Sequence, residues 1–584
     1  MVGRKLSRNI AATLGASLVT IGAAATAQHA RVEPAGPSAT SNGAQAYAQH
    51  CAACHGPTLN GPIGPNVGVP LRGPAFVAKW AARPDALVDF SRTMMPLQNP
   101  DSLDPNTYAE IVGFIRAENG MQAGAKPTPA THDQASDISS SLVKMMSPDV
   151  APDKTALATR ERLNGLAASV TPVTDEMMRN PADGDWIAWR RTQGTDGFSP
   201  LKQINRGNVA QLGLAWSLAL GNGTNGIAPL VHDGVMYINS SGTIRALDAT
   251  NGDVIWEFVR PATATRAPSS QPRGFALYGD SVIVPTLDNH VLSLDAKTGK
   301  LRWDHQIGKE EDKLQLSAGP LIAGGKVIQG VSGCSGAELK GGCYIVALDA
   351  ATGNELWRFY TIARPDAPGG NSWNGMPLEG RFGGSVWVTG SYDPDLNLVY
   401  FGTGQTYVVS PLLADGAPKN TTRDALYTNT TLALNPDTGK LVWHYQHVAG
   451  DVWDLDWVFE RTLATVPGPK GPRKIVVTVG KTGIIDALDA RTGKYLWSLD
   501  MGMQNLITSI DPKTGRKTHD LSLIPEKGKL KLVCPGTVGA RNWNSTAYEP
   551  GCGLLYFPMF ETCNDKSLFE DSASTSSYTN YGEF

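Results

Sequence analysis

Cys51-Ala-Ala-Cys54-His55 sets two thiols three residues apart with an imidazole directly behind them. That spacing is the attachment signature of a covalently held c-type haem. Thioether bonds from Cys51 and Cys54 fix the porphyrin, and His55 is placed to ligate the iron from one side. A soft thioether on the opposite side completes an electron-transfer site and raises its potential. The stretch Arg92-Thr-Met-Met-Pro supplies Met94 and Met95 for that position. With both axial positions filled, such an iron carries electrons and does not bind substrate. Tyr108, Ile111, Val112 and Ile115 follow at helical spacing, which predicts a terminal helix.

Composition bounds what surrounds this site. The chain has 584 residues, 41% of them hydrophobic and 18% charged, as in an ordinary water-soluble protein. A net charge of −3 points to neither nucleic acid nor an anionic membrane as partner. Gly 63 and Trp 14 favour a turn-rich β protein. Arg4, Lys5 and Arg8 precede an apolar run from Ile10 to Ile21 and a small-residue Ala25-Thr26-Ala27 site. Residues 1–27 therefore read as a cleaved secretory leader, and the expected location is the periplasm. No later stretch is long enough to span a bilayer. In that oxidising compartment disulfides are expected. Cys334 and Cys343 flank a short Gly-rich loop and are expected to pair, while Cys534, Cys552 and Cys563 leave one odd thiol.

The elements that must position the chemistry lie further along. Residues 123–175 read as a Pro/Ser/Ala-rich linker carrying one helix-like stretch, Asp153 to Ala168. From Trp186 a unit recurs: an alternating strand, an Asp-x-x-x-Gly turn, and a second strand ending in Trp. Asn435 replaces the Asp in the fourth unit. Trp256, Trp303, Trp357, Trp443 and Trp497 follow one another at 47, 54, 86 and 54 residues. A period near fifty with two or more strands per unit means a β-propeller, with each Trp packed between blades.

Two resemblances add to this reading. Residues 41–122 resemble a small all-α class I cytochrome c domain, in which the ligand Met commonly precedes a Pro, so Met95 is selected over Met94. The repeated Ala-Leu-Asp-x-x-Thr-Gly-x-x-x-Trp is similar to the tryptophan-docking motif of quinoprotein dehydrogenases. The segment Asp185 to Leu218 is very like that family's opening, and the likeness runs from about Glu176 to Cys563. It implies an all-β, eight-bladed-type propeller over 176–584 with pyrroloquinoline quinone (PQQ) on its axis and a Ca²⁺ beside it.

The same resemblance implies roles residue by residue. Trp387, in Gly-Gly-Ser-Val-Trp, would lie flat under the quinone. Arg273, Ser335, Lys481, Asn542 and Trp543 would contact the cofactor. Glu338, Gln405 and Asp454 would hold the Ca²⁺, Gln405 standing where the family keeps Asn. Asp454 would also be the catalytic carboxylate, with Asp456 its nearest rival. Cys534 and Cys563 lie where related dehydrogenases form a disulfide, which leaves Cys552 unpaired. Three features depart from the family. Gly226 stands where a Glu is frequent, no adjacent Cys-Cys pair exists, and the loop from Cys334 to Cys343 is longer than usual. No closing docking repeat follows Cys563, so truncation of the propeller is expected.

The function these features imply is oxidation of an alcohol by PQQ, the electrons leaving through haem c to a cytochrome or a respiratory-chain acceptor. A haem domain ahead of the propeller resembles the order in polyvinyl alcohol dehydrogenases, which act on secondary hydroxyls of a polymer. Two alternatives stand beside it: a small primary, cyclic or polyol substrate, and a non-catalytic propeller scaffold whose haem is an electron relay.

Overall fold

The computed structural model describes residues 40–56, 58–59, 71–73, 76–77, 80, 87–88, 90–92, 95, 102–121, 154–220, 226–240, 242–260, 272–309, 312–334, 341–407, 409–571 and 574–583. Two compact units divide the chain, Met1–Ala151 and Pro152–Phe584. The leader predicted at 1–27 lies outside the described residues. No helix among the described residues is long and apolar enough to cross a membrane.

The first unit is helical: α1 (Thr40–His50), α2 (Ala52–His55) and α3 (Pro105–Glu118). Helix α3 starts where Asp104 accepts the Asn106 N–H at 2.9 Å and Pro105 pre-sets the first turn. Its buried face is Tyr108, Ile111, Val112 and Ile115, the stripe predicted from spacing. Tyr47 of α1 packs on Phe114, with ring centroids 5.4 Å apart. The helices approach closely at Gly43, where a Cβ would stand 2.3 Å from the Glu110 carbonyl oxygen, so no larger residue fits.

The second unit opens with α4 (Lys154–Ser169) and α5 (Asp175–Arg179). Residues 154–175, assigned above to the linker, fold as part of this unit. Leu166, Val170 and Val173 pack into the same core as the first sheet, and Arg162 pairs with Asp253 at 2.6 Å. The linker reading followed Pro/Ser/Ala-rich composition, whereas apolar burial on a neighbouring sheet decides the outcome.

Among the described residues, five antiparallel four-stranded sheets follow in chain order. They are β1–β4 (Leu230–His232, Val235–Ser240, Thr243–Asp248, Val254–Val259), β5–β8 (Ala276–Tyr278, Ser281–Pro285, His290–Asp295, Leu301–Gln306), β9–β12 (Leu321–Ala323, Lys326–Gly330, Tyr344–Asp349, Glu355–Tyr360), β13–β16 (Ser391–Asp393, Leu398–Gly402, Thr430–Leu434, Leu441–Gln446) and β17–β20 (Thr462–Val466, Arg473–Val479, Ile484–Asp489, Tyr495–Asp500). Each is a simple meander, the blade of a propeller. Middle strands such as β6 and β11 are buried on both faces, while fourth strands such as β8 and β20 are exposed or half-buried along their length. Smaller sheets complete the unit: β21 (Ile507–Ile510) with β22 (Lys517–His519), β24 (Ala547–Glu549) with β25 (Leu554–Tyr556), and β23 (Lys531–Val533) with β26 (Asn564–Asp571) and β27 (Ser574–Glu583).

The repeated residues tie each blade to the next. The Trp256 indole donates to the Ala296 carbonyl at 2.9 Å, Trp303 to Ala350 at 3.1 Å, Trp357 to Pro436 at 2.7 Å and Trp443 to Ala490 at 3.1 Å. The indole faces lie on the turn glycines: a Cβ at Gly299, Gly353, Gly439 or Gly493 would come within 2.5–2.8 Å of the ring. These glycines also take φ near +70°, so conformation and docking demand the same residue. The turn Asp holds its own loop, as Asp295 does by accepting the Thr298 N–H at 2.9 Å. Trp216, outside the five repeats read from the sequence, docks identically on Ala249 and Gly252. Trp497, in contrast, is 44% exposed. The disulfides Cys334–Cys343 and Cys534–Cys563 are both formed, and Cys552 is free and exposed.

A buried ion triad joins distant segments. Glu460 accepts Arg190 from the opening segment at 3.2 Å and Arg541 from the C-terminal part at 2.6 Å.

Candidate active site

In a meander, the residues before the first strand and those after the second strand emerge at the same end of the blade. Arg273 precedes β5, Trp387 precedes β13, and Asp454 precedes β17, while Gln405 follows β14 and Lys481 follows β18. The topology therefore gathers these residues at one end of the blades.

The contacts close the set. The Arg273 guanidinium stands 5.0 Å from the Trp387 ring centroid and 5.3 Å from that of Trp543, and it donates to the Trp387 carbonyl at 3.0 Å. Phe459 meets the Trp387 ring edge-on at 5.3 Å. Two residues before Trp387, the Ser385 carbonyl accepts the Gly404 N–H at 2.8 Å. Gly404 in turn leaves room for Asp456, whose Oδ1 would lie 2.5 Å from a Cβ there. Asp456 Oδ1 accepts the Gln405 N–H at 2.9 Å. Lys481 Nζ then bridges the two carboxylates, 2.7 Å from Asp454 Oδ1 and 2.8 Å from Asp456 Oδ2.

Electrostatics follows from that crowding. Burial pushes the Asp454 carboxyl up to about 7, against the pull of Lys481. Burial opposes the charge of Lys481, but Asp454 and Asp456 outweigh it and hold the ammonium above its ordinary range. Burial draws the Arg273 guanidinium down to about 10, and among the described residues no carboxylate pairs with it. An uncompensated buried guanidinium lying on indole faces suits a flat, multiply charged anion. This donor set fits an aromatic tricarboxylate such as PQQ.

The remaining expectations place as follows. Trp543 lies against Gly226, whose Cβ position would be 3.5 Å from the ring. Asn542 is tied locally, accepting the Trp543 N–H at 2.8 Å and donating to the Val538 carbonyl at 2.7 Å. Ser335 and Glu338 lie outside the described residues. The cluster among the described residues that could hold a cation, Asp185, His232 and Asp233, contains none of the predicted Ca²⁺ ligands. There the His232 ring meets Asp185 at 2.8 Å through Nδ1 and Asp233 at 3.3 Å through Nε2. Burial opposes the charged ring, but the two carboxylates outweigh it and raise its pKa.

Two residues near the site carried no sequence signal. Tyr407 hydrogen-bonds Ser385 through its hydroxyl, and burial raises its pKa in the field of Asp456, Asp454 and Lys481. Its place two residues past Gln405 could have drawn notice. Lys566 is fully buried and donates to the carbonyl of Trp453.

In the first unit, Cys51 lies at the start of α2 and joins the core of Tyr47, Leu59, Ile111 and Ile115, while His55 is 7% exposed at its end. Spacing of four on one helix puts both on one face. Tyr47 donates to the Gly56 carbonyl at 2.7 Å, and Tyr108 to the Met95 carbonyl at 2.6 Å, anchoring both axial candidates. The Cys54 side chain and Met94 lie outside the described residues.

Residues 186–503 match the family described as glucose/ethanol/alcohol dehydrogenase, β-propeller domain (PQQ). Residues 38–115 match cytochrome c oxidase, cbb3-type, subunit III. The chain is 37% identical over 423 residues to quinohemoprotein alcohol dehydrogenase ADH IIB of Pseudomonas putida, covering 68% of this chain and 59% of that protein. The solved structure of ADHIIG from Pseudomonas putida HK5 superposes with a TM-score of 0.63 at 32% identity, covering 70% of this chain and 61% of that one. The structure of quinohemoprotein alcohol dehydrogenase from Comamonas testosteroni gives 0.63 at 29% identity, covering 70% and 62%. The chain thus spans about three fifths of the length of these relatives.

Proposed function

The chain belongs to the PQQ-dependent quinohaemoprotein alcohol dehydrogenase family with a cbb3-type cytochrome c domain, and from that premise we propose that it oxidises secondary hydroxyl groups, those of polyvinyl alcohol foremost, in the periplasm. When bound, PQQ supplies a two-electron acceptor at its C5 carbonyl, Ca²⁺ a Lewis acid, and haem c a one-electron relay to an external cytochrome or respiratory acceptor.

The protein's own residues do the rest. Trp387 offers a flat face, and Arg273 an unspent cation for a ligand carboxylate. Trp543 and Phe459 wall off water, which strengthens every charge interaction inside. Asp454 accepts the hydroxyl proton at a carboxylate oxygen, and Lys481, 2.7 Å away, stabilises that carboxylate while it is ionised. Glu338, Gln405 and Asp454 would hold the Ca²⁺ through oxygen ligands. Cys51, Cys54, His55 and Met95 would hold the haem.

One observation carries this reading: a lysine bridging two carboxylates at the same blade end as an indole-backed arginine that has no acid partner among the described residues. The preference for a polymer is supported by the haem domain preceding the propeller and by the lack of adjacent cysteines, which suits a more open pocket. The test is kcat/KM for polyvinyl alcohol, 2-butanol, 1-butanol and cyclohexanol on protein loaded with PQQ and Ca²⁺. Secondary alcohols and the polymer should lead, and a clear preference for 1-butanol would overturn the substrate assignment.

A further inference from the structure

Asp454 sits on an unusual backbone. Its φ is +68°, a left-handed conformation that costs a non-glycine residue about 1 kcal/mol or more and persists only when its surroundings impose it. The surroundings are visible. The Asp451 carboxylate accepts the Trp453 N–H at 2.8 Å and the Leu455 N–H at 2.7 Å, bracketing Asp454. The Trp453 indole is 1% exposed and donates to the Leu523 carbonyl at 2.7 Å. The Trp453 carbonyl, which belongs to the peptide leading into Asp454, receives the ammonium of Lys566.

Lys566 comes from β26, in the C-terminal sheet and beyond the 186–503 region matched to the dehydrogenase family. It is 0% exposed, and burying so long a cationic side chain is expensive unless its charge is used. A charge-assisted bond to one particular carbonyl is such a use. We propose that Lys566 is a positioning residue for Asp454: by gripping the Trp453 carbonyl it locks the left-handed peptide that aims the Asp454 carboxylate at Lys481. This rests on the reading of Asp454 as proton acceptor. The C-terminal sheet therefore takes part in the chemistry of the fifth blade without touching substrate.

The test compares Lys566→Met, Lys566→Gln and Lys566→Arg with wild type and Asp454→Asn, each as the full chain. Hydrogen exchange without added quinone reads the local lock: amides of 452–456 should exchange at least about tenfold faster in the Met variant, with the five sheets unchanged. With PQQ, Ca²⁺ and 2-butanol, kcat should fall about 100-fold, the scale of a small misplacement of a reacting group, while KM stays within about twofold. Arg, which keeps the donor, should recover kcat to within about tenfold of wild type. Wild-type exchange and kcat in the Met variant, or an Arg variant as slow as Met, would overturn the proposal. Should the Met variant lose protection in every sheet, the Gln variant decides: 452–456 protected with kcat within about tenfold supports it, and a folded Gln variant that is inactive although 452–456 stay protected overturns it. Wild-type kcat in Asp454→Asn would sink the proton-acceptor reading itself, leaving the exchange data to judge Lys566.

Discussion

The Arg273 guanidinium rests 5.0 Å from the ring of Trp387 and donates to that residue's own carbonyl at 3.0 Å, so cation and indole move as one piece. With no carboxylate beside it among the described residues, the charge is available to a ligand. Arg273→Leu should weaken PQQ binding at least about tenfold, the loss of one charge-assisted contact, with the thermal midpoint nearly unchanged. Quenching of tryptophan emission during a PQQ titration measures this.

Asp454 must be ionised to take a proton, and burial raises its pKa to about 7. In protein without a bound cation the carboxylate therefore gains its proton as pH drops through 7. A cation at Asp454 favours the ionised form and moves that point lower. The log of kcat/KM should climb with pH on the acidic side, with its limb at or below about 7. Asp454→Asn should lose about 10²–10⁴-fold, the usual contribution of a general base, and show no such limb.

The Trp–Gly docking predicts a separable pair of stability effects. Gly493→Ala meets the Trp443 ring at 2.5 Å and also occupies φ +70°. Gly528→Ala has φ +72° but nothing within 4 Å. The second should cost about 1 kcal/mol for conformation alone, and the first about 1–3 kcal/mol more for overpacking. Equal denaturation midpoints for the two variants would contradict the docking role.

His447 gives a pH signature far from the quinone site. Its ring is fully buried, stacked 4.5 Å from Trp457, and bonded to Asp486 at 2.6 Å and Thr431 at 2.7 Å. Burial depresses its pKa to about 4 despite Asp486. Between pH 6.5 and 4 the unfolded chain thus binds a proton that the folded chain refuses, so stability falls as the solution is acidified. The total is about 3 kcal/mol, at about 1.4 kcal/mol per pH unit across that window. Asp454, raised to about 7, works in the opposite direction over this range, so the signature is read as a difference: between pH 7.5 and 4.5 the denaturant midpoint of wild type should fall relative to that of His447→Gln.

What the sequence disclosed, and what it hid, follows from how local each cause is. The five blades are legible because Asp, Gly and Trp recur at fixed offsets, and the contacts they make are ones that join neighbouring blades. Trp216 escaped because no Asp-x-x-x-Gly turn stands just ahead of it, although it docks on the next unit's turn as the other tryptophans do. Helix α4 is legible as a helix-like stretch but falls within the linker bounds, because only the neighbouring sheet gives Leu166, and Val170 and Val173 just past the helix, something to bury against. Arg273, Trp387, Asp454 and Lys481 were named from family offsets, and topology brings them to one end. Asp456 was ranked below Asp454, yet both share the same lysine. Lys566 has no local pattern: its 113-residue separation from Trp453 is bridged only by tertiary structure.

The central claim is that electrons taken from an alcohol at Asp454 leave through the haem held by His55. The most direct measurement follows the haem absorbance of the full chain, oxidised and loaded with PQQ and Ca²⁺, after 2-butanol is added. The account predicts haem reduction that depends on PQQ and disappears in Asp454→Asn. A haem that stays oxidised in the loaded wild type, or is reduced equally in Asp454→Asn, would contradict it.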